Sequence, residues 1–203
     1  MQIGTMETIE VLGTVAFAIS GSFAAMQRRL DPFGVLIIAF VTSIGGGTVR
    51  DMLLGDTPVA WMRDINYCLL ILFTSLATIF FKTHIRKFKI TLFLFDSLGL
   101  GLFTMLGIQK GIAFGLSPGI CIALGTITGC FGGVIRDTFL NTIPLIFRKE
   151  IYATACILGG SLYFGLKHFK MEDDMANISV IAFIFIFRVV VVKYRLTLPK
   201  FGY

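Results

Sequence analysis

The chain has 203 residues, 56% of them hydrophobic and 15% charged, with a mean hydropathy of +0.86 and a net charge of +6. Soluble domains carry roughly 25% charge and 45–50% apolar residues, so a soluble fold would leave too little polar surface to cover such a core. The length admits about seven spans of roughly 20 residues with short connections and no separate soluble domain, and the basic residues lie in short loops, which points to membrane orientation rather than to nucleic acid.

The first apolar run, about residues 8–26, follows Glu7 and Glu10 instead of a basic stretch, and no small-residue cleavage site follows it. It is therefore expected to be a span and not a cleaved leader. Gly13, Ala16, Ala18, Ser20, Gly21 and Ala24 along it allow the close helix approach that packing in lipid favours. Arg28, Arg29, Asp31 and Pro32 form a polar turn, with Pro32 suited to the first turn of the next helix. The second run, about 33–54, holds Gly45, Gly46 and Gly47. Each glycine costs about 1 kcal/mol against alanine in a helix, so the triplet predicts a break or kink. Pro58 and Trp61 follow in the loop 55–64, the tryptophan as an interfacial anchor. The third run, 65–81, is uncharged, and the cluster Lys82, His84, Arg86, Lys87 and Lys89 after it reads as a topology-setting cytoplasmic loop, or else as an anionic-lipid contact.

The fourth run, about 90–109, carries Asp96 within its first two turns, then Gly99, Gly101 and Gly107. The fifth, 118 to about 140, passes through Gly129, Gly132 and Gly133. The sixth covers about 151–166 and ends in Lys167, His168 and Lys170, after which Glu172, Asp173 and Asp174 are expected to form a solvated loop. In the seventh, about 178–192, Arg188 lies near the cytoplasmic end and is expected to snorkel to the surface. Cys68, Cys121, Cys130 and Cys156 fall in apolar runs without metal-ligand or redox spacing and read as small buried hydrophobes, implying neither a disulfide nor a metal.

At a constant offset of 86, Gly13, Phe17, Gly21, Thr42, Gly46, Gly47, Arg50, Asp51 and Pro58 recur as Gly99, Phe103, Gly107, Thr128, Gly132, Gly133, Arg136, Asp137 and Pro144. Chance similarity between apolar runs would match leucines and valines, not such a set. The chain is thus a duplication. Repeat one covers about 8–81, repeat two about 90–167 and an extra helix about 178–193, in a single membrane domain, 1–203. Three spans is an odd number, so the second repeat enters the membrane from the opposite face. The expected fold is an all-α integral membrane protein with seven transmembrane helices, two inverted three-helix repeats plus a seventh helix, helices two and five being kinked at their glycines. Basic residues concentrate after spans one, three and five and in the tail, which places the N-terminus outside and the C-terminus in the cytoplasm.

An arginine or aspartate near a span centre costs about 2.5–3.5 kcal/mol on insertion scales, and each repeated motif holds one of each. Backbone groups freed at glycines cannot face lipid. Gly45, Gly46, Gly47, Arg50 and Asp51, with Gly132, Gly133, Arg136 and Asp137, are therefore the candidate polar pathway. Inversion puts the two Arg-Asp pairs in opposite halves of the bilayer, with the glycines meeting near its middle. The structural alternative makes the glycines packing sites and each Arg-Asp a local brace; adjacent helical residues do not face each other, so partners elsewhere are also open. Asp96, the counterpart of Glu10, is a possible pathway acid or a simple interfacial one. His84 and His168 sit in basic loops, and no nucleophile-base arrangement is visible, so neither an enzyme nor a cofactor is expected.

The GGGTVRD run at 45–51, its copy GGVIRD at 132–137 and the three-plus-three-plus-one layout resemble the prokaryotic trimeric intracellular cation (TRIC) channel family, also catalogued as a glycine-transporter family. The resemblance implies a homotrimer in the prokaryotic cell (inner) membrane. It further implies one pore per protomer lined by kinked second and fifth helices, and permeant monovalent cations such as potassium and sodium. It makes the five motif glycines kink positions and places Arg50, Asp51, Arg136 and Asp137 beside the pathway. The second motif departs from the first in having Phe131 where the first has Gly45. Inverted repeats equally suit a secondary transporter of a small zwitterion such as glycine.

Overall fold

A computed structural model describes residues 4–82, 88–148 and 151–194; His84, Arg86 and Lys87 of the basic cluster, with Lys149, Arg195 and Lys200, lie outside them. Among the described residues the chain forms nine helices: α1 (Thr5–Gln27), α2 (Pro32–Leu54), α3 (Ala60–Arg63), α4 (Ile65–Phe81), α5 (Phe88–Ala113), α6 (Pro118–Phe139), α7 (Leu145–Arg148), α8 (Ala153–His168) and α9 (Asp173–Lys193). Local chemistry sets the boundaries. The Asp31 carboxylate accepts the Gly34 amide at 2.8 Å ahead of Pro32, and Gly55 ends α2 at φ 68°, a left-handed conformation cheap only for glycine. Asp64 caps α4 through the Asn66 amide.

α1, α2, α5, α6 and α9 are long and apolar enough to cross a membrane, while α4 has 17 residues and α8 has 16. The run 172–174 is not a loop: Glu172 stands at the N-cap position of α9 and Asp173 and Asp174 lie in its first turn, where acidic side chains complement the helix dipole. Both glycine clusters lie inside continuous helices, so of the expected break or kink the break does not occur. Buried hydroxyls inside the helices bond back one turn, as Thr42 does to the Ile38 carbonyl at 2.6 Å and Thr128 to that of Leu124 at 2.7 Å, satisfying groups that lipid could not.

The glycines instead permit contact. A Cβ at Gly46 would strike the Thr128 carbonyl, and one at Gly132 the Thr42 carbonyl, so α2 and α6 touch through their backbones. A Cβ at Gly99 would strike the Phe17 ring, while one at Gly13 would lie 3.1 Å from that of Phe103; the two rings stack at 5.0 Å. Phe23, near the end of α1, meets Phe88, at the start of α5, so these helices run antiparallel. The Gly46–Thr128 contact maps onto Gly132–Thr42, and Gly99–Phe17 onto Gly13–Phe103, by exchanging residues 86 apart, as a two-fold relation between inverted units requires. α9 packs beside α5 and α8: Gly101 faces the Ile181 carbonyl and Gly159 faces Ile184.

Candidate functional site

The two Arg-Asp pairs occupy the C-terminal ends of α2 and α6, at opposite ends of the antiparallel bundle. Each pair closes on itself: Arg50 Nε donates to Asp51 Oδ1 at 2.8 Å, and Arg136 Nε to Asp137 Oδ1 at 2.9 Å. The long arginine stem curls round the single-residue step, so neighbours that do not face each other still pair. The second carboxylate oxygen holds the following one-turn helix, Asp51 Oδ2 accepting the Ala60 amide at 3.0 Å and Asp137 Oδ2 the Leu145 amide at 3.1 Å. Both copies thus fold the chain back against the end of the preceding helix by the same device.

Beyond that device the ends differ. At the α6 end, Arg136 Nη1 donates to Asp96 Oδ1 at 2.6 Å and to Ser20 Oγ at 2.9 Å; Arg136 is 1% exposed and Asp96 is fully buried. Asp96 Oδ2 and Tyr152 Oη, the latter beside Gly133, are buried without a hydrogen-bond partner. Asp96 is therefore not an interfacial acid. At the α2 end, Lys110 Nζ lies 2.7 Å from Asp51 Oδ1 and 2.6 Å from Asp56 Oδ2, and Arg63 pairs with Asp56. Lys110, with Arg63, holds the Asp56 carboxyl down at about 2. A cavity of about 30 Å³, room for about two waters, opens here between Glu10, Ser43, Gly47, Arg50, Asp51 and Tyr67. Trp61 closes one wall, its indole N–H on Thr48 Oγ1 at 3.2 Å and its ring edge-on to Phe40.

The structure brings Gly45, Gly46 and Gly132 into the α2–α6 contact, where a Cβ at Gly45 would lie 2.7 Å from Ile135 Cδ1; Gly47 and Gly133 line the spaces beside the arginines. Lys110, Ser20 and Tyr152 carry no mark in the sequence. The counterpart of Lys110 is Ala24, so the repeat gave no hint of it. Arg188 does not snorkel: it is 1% exposed, with Nη1 donating to the Ile151 carbonyl at 3.2 Å and the guanidinium 4.6 Å from the Tyr152 ring centre. Aromatic faces hold this cation inside the bundle.

The family model described as "Glycine transporter" matches residues 7–83 and 93–168. The UPF0126 inner membrane protein YadS of Escherichia coli K12 is 38% identical over 196 residues, covering 96% of this chain and 95% of that protein. Among solved structures, the TRIC trimeric intracellular cation channel orthologue from Rhodobacter sphaeroides superposes with a TM-score of 0.89 at 32% identity, over 94% of this chain and 98% of that one. A prokaryotic TRIC channel in 0.5 M KCl gives a TM-score of 0.88 at 33% identity, over 95% and 98%. The chain therefore belongs to the TRIC/UPF0126 family of membrane proteins, the family that its paired glycine and Arg-Asp motifs resemble.

Proposed function

We propose that the chain is a monovalent cation channel for potassium and sodium, with a pathway through each protomer of a homotrimer in the bacterial inner membrane. Seven helices span, all but the one-turn α3 and α7, in repeats of about 8–81 and 90–167 with an extra helix at about 178–193. The N-terminus is outside and the C-terminus cytoplasmic. The short α4 and α8 are tolerated by local thinning of the bilayer. The pathway follows the α2–α6 contact between the two charged ends. The observation that carries this is the pair of buried ionic clusters at either end of one glycine contact. Burying them is costly unless water or ions reach them.

In this conformation the α2 end holds the small cavity, whereas around Arg136 the side chains bond to one another. Conduction requires α2 and α6 to bend at Gly45, Gly46, Gly47, Gly132 and Gly133, and the lone oxygen of Asp96 then offers a cation its ligand. Arg50, Asp51, Arg136 and Asp137 set the field along the route. The similarity to TRIC channel structures favours this function.

A secondary transporter of glycine is the second reading. It is favoured by the family description and by Glu10 and Arg50 facing one cavity, a complement to an ammonium and a carboxylate. Potassium efflux from protein-containing liposomes separates the two. A channel gives fast efflux that Asp51→Asn and Asp137→Asn alter more than they alter assembly. Saturable glycine uptake with no potassium efflux overturns the channel.

A further inference from the structure

Cys130 and Cys156 face each other across the α6–α8 contact, sulfur to sulfur at 4.0 Å, and both are fully buried. Cys130 lies three residues before Gly133, on the helix that carries the second motif. Cys68 is only part-buried, and Cys121 Sγ lies 3.4 Å from the Leu116 carbonyl, so neither has a thiol partner. Two helices have thus brought together two thiols 26 positions apart in separate apolar runs. The buried Arg188 guanidinium lies within electrostatic reach of both, and its Nε has no hydrogen-bond partner. Asp96, whose Oδ2 is also without a hydrogen-bond partner, lies within electrostatic reach of both thiols as well. The thiols therefore sit behind the polar cluster that a permeating cation would meet.

We infer that Cys130 and Cys156 form a two-coordinate binding site for a soft monovalent cation, Cu(I) or Ag(I). Metal–thiolate bonds of about 2.3 Å laid end to end span about 4.6 Å, so 4.0 Å needs only a slight parting of the sulfurs. A disulfide would need the sulfurs to close from 4.0 Å to about 2.05 Å, and an oxidant as well. Soft thiolates select such ions, whereas hard potassium and sodium prefer oxygen. On binding, both S–H protons leave to water, two M–S bonds form and nothing is oxidised. The resulting bis-thiolate carries one negative charge, which the Arg188 guanidinium offsets. Occupancy ties α6 to α8 and so restrains the helix that the channel reading requires to bend; that consequence rests on the proposed function, but the binding does not.

The test begins with binding alone. Purified full-length protein is loaded anaerobically with Ag(I), desalted against a thioether competitor and analysed for bound metal. About one ion per chain is expected, held by two sulfurs in X-ray absorption. Cys130→Ala or Cys156→Ala, each removing one of only two ligands, should lose most of the retained metal, while Cys68→Ala with Cys121→Ala leaves it unchanged. If either site variant fails to assemble, the sulfur count on the wild-type protein decides. Retention unaffected by the site variants, or a metal with one sulfur ligand or none, overturns the site. Ag(I) should then slow potassium efflux in the wild type but not in Cys130→Ala. Binding without any such slowing refutes the coupling to the pathway and leaves the site standing.

Discussion

Alanine at Gly46 tests the backbone contact on which the site is built. The added methyl would strike the Thr128 carbonyl, main chain inside α6 that cannot rotate away. Alanine gains about 1 kcal/mol of helix propensity, but overpacking costs about 1–3 kcal/mol, and a rigid obstacle puts this site at the top of that range. The net is a loss of about 2 kcal/mol. At Gly47 the nearest atom is Arg50 Nη2 at 3.7 Å, an ordinary contact, so Gly47→Ala keeps the full gain of about 1 kcal/mol. The variants should differ by about 3 kcal/mol, or about 6–12 °C in midpoint at 2–4 °C per kcal/mol. Thermal unfolding of the detergent-purified proteins, followed by tryptophan fluorescence, measures the gap. Gly132→Ala, facing the Thr42 carbonyl, should behave like Gly46→Ala. Gly46→Ala melting at or above Gly47→Ala would refute the contact.

The ionic clusters give three further outcomes. Asp96→Asn strips a carboxylate from the buried Arg136 and should cost about 3 kcal/mol; Arg136→Met in the same chain should recover part of it, and a coupling below about 0.5 kcal/mol in the double-mutant cycle would show the pair to be inert. Because the folded carboxyl of Asp56 is depressed from 3.8 to about 2, its ties to Lys110 and Arg63 add stability above pH 3.8 and lose it as pH falls through 2. Protection of the amides in the loop 55–59, taken relative to intrinsic exchange at each pH, should therefore hold at pH 5 and fall toward pH 2, a response absent in Asp56→Asn. Arg188→Lys gives up the planar stacking over Tyr152 and should lower stability by about 1–2 kcal/mol; an unchanged midpoint would show that the aromatic faces do not hold the cation.

Much of the frame was legible because repetition wrote it twice. Asp31-Pro32 and Gly55 mark the ends of α2 through local backbone chemistry, and the offset of 86 exposed the paired glycines before any contact was known. What those glycines do was less legible. Propensity alone predicts a break, but in a tight bundle the same missing side chain lets Thr42 and Thr128 carbonyls approach, and the helices stay continuous. Long-range pairing was hidden altogether. Lys110 reaches Asp51 across 59 positions and has only Ala24 as its counterpart, and Arg136 finds Asp96 across 40. Arg188 was misjudged because distance from a helix end says nothing about the aromatic rings packed around it. The acidic run 172–174 reads as a loop in sequence, although charges of that sign stabilise a helix start and here Asp173 and Asp174 open α9.

Single-channel recording bears most directly on the central claim. Purified protein in a planar bilayer under a potassium gradient should give discrete current steps that reverse near the potassium equilibrium potential, with amplitude altered by Asp51→Asn and by Asp137→Asn. A bilayer that stays silent while the same preparation takes up glycine saturably into liposomes would contradict the account.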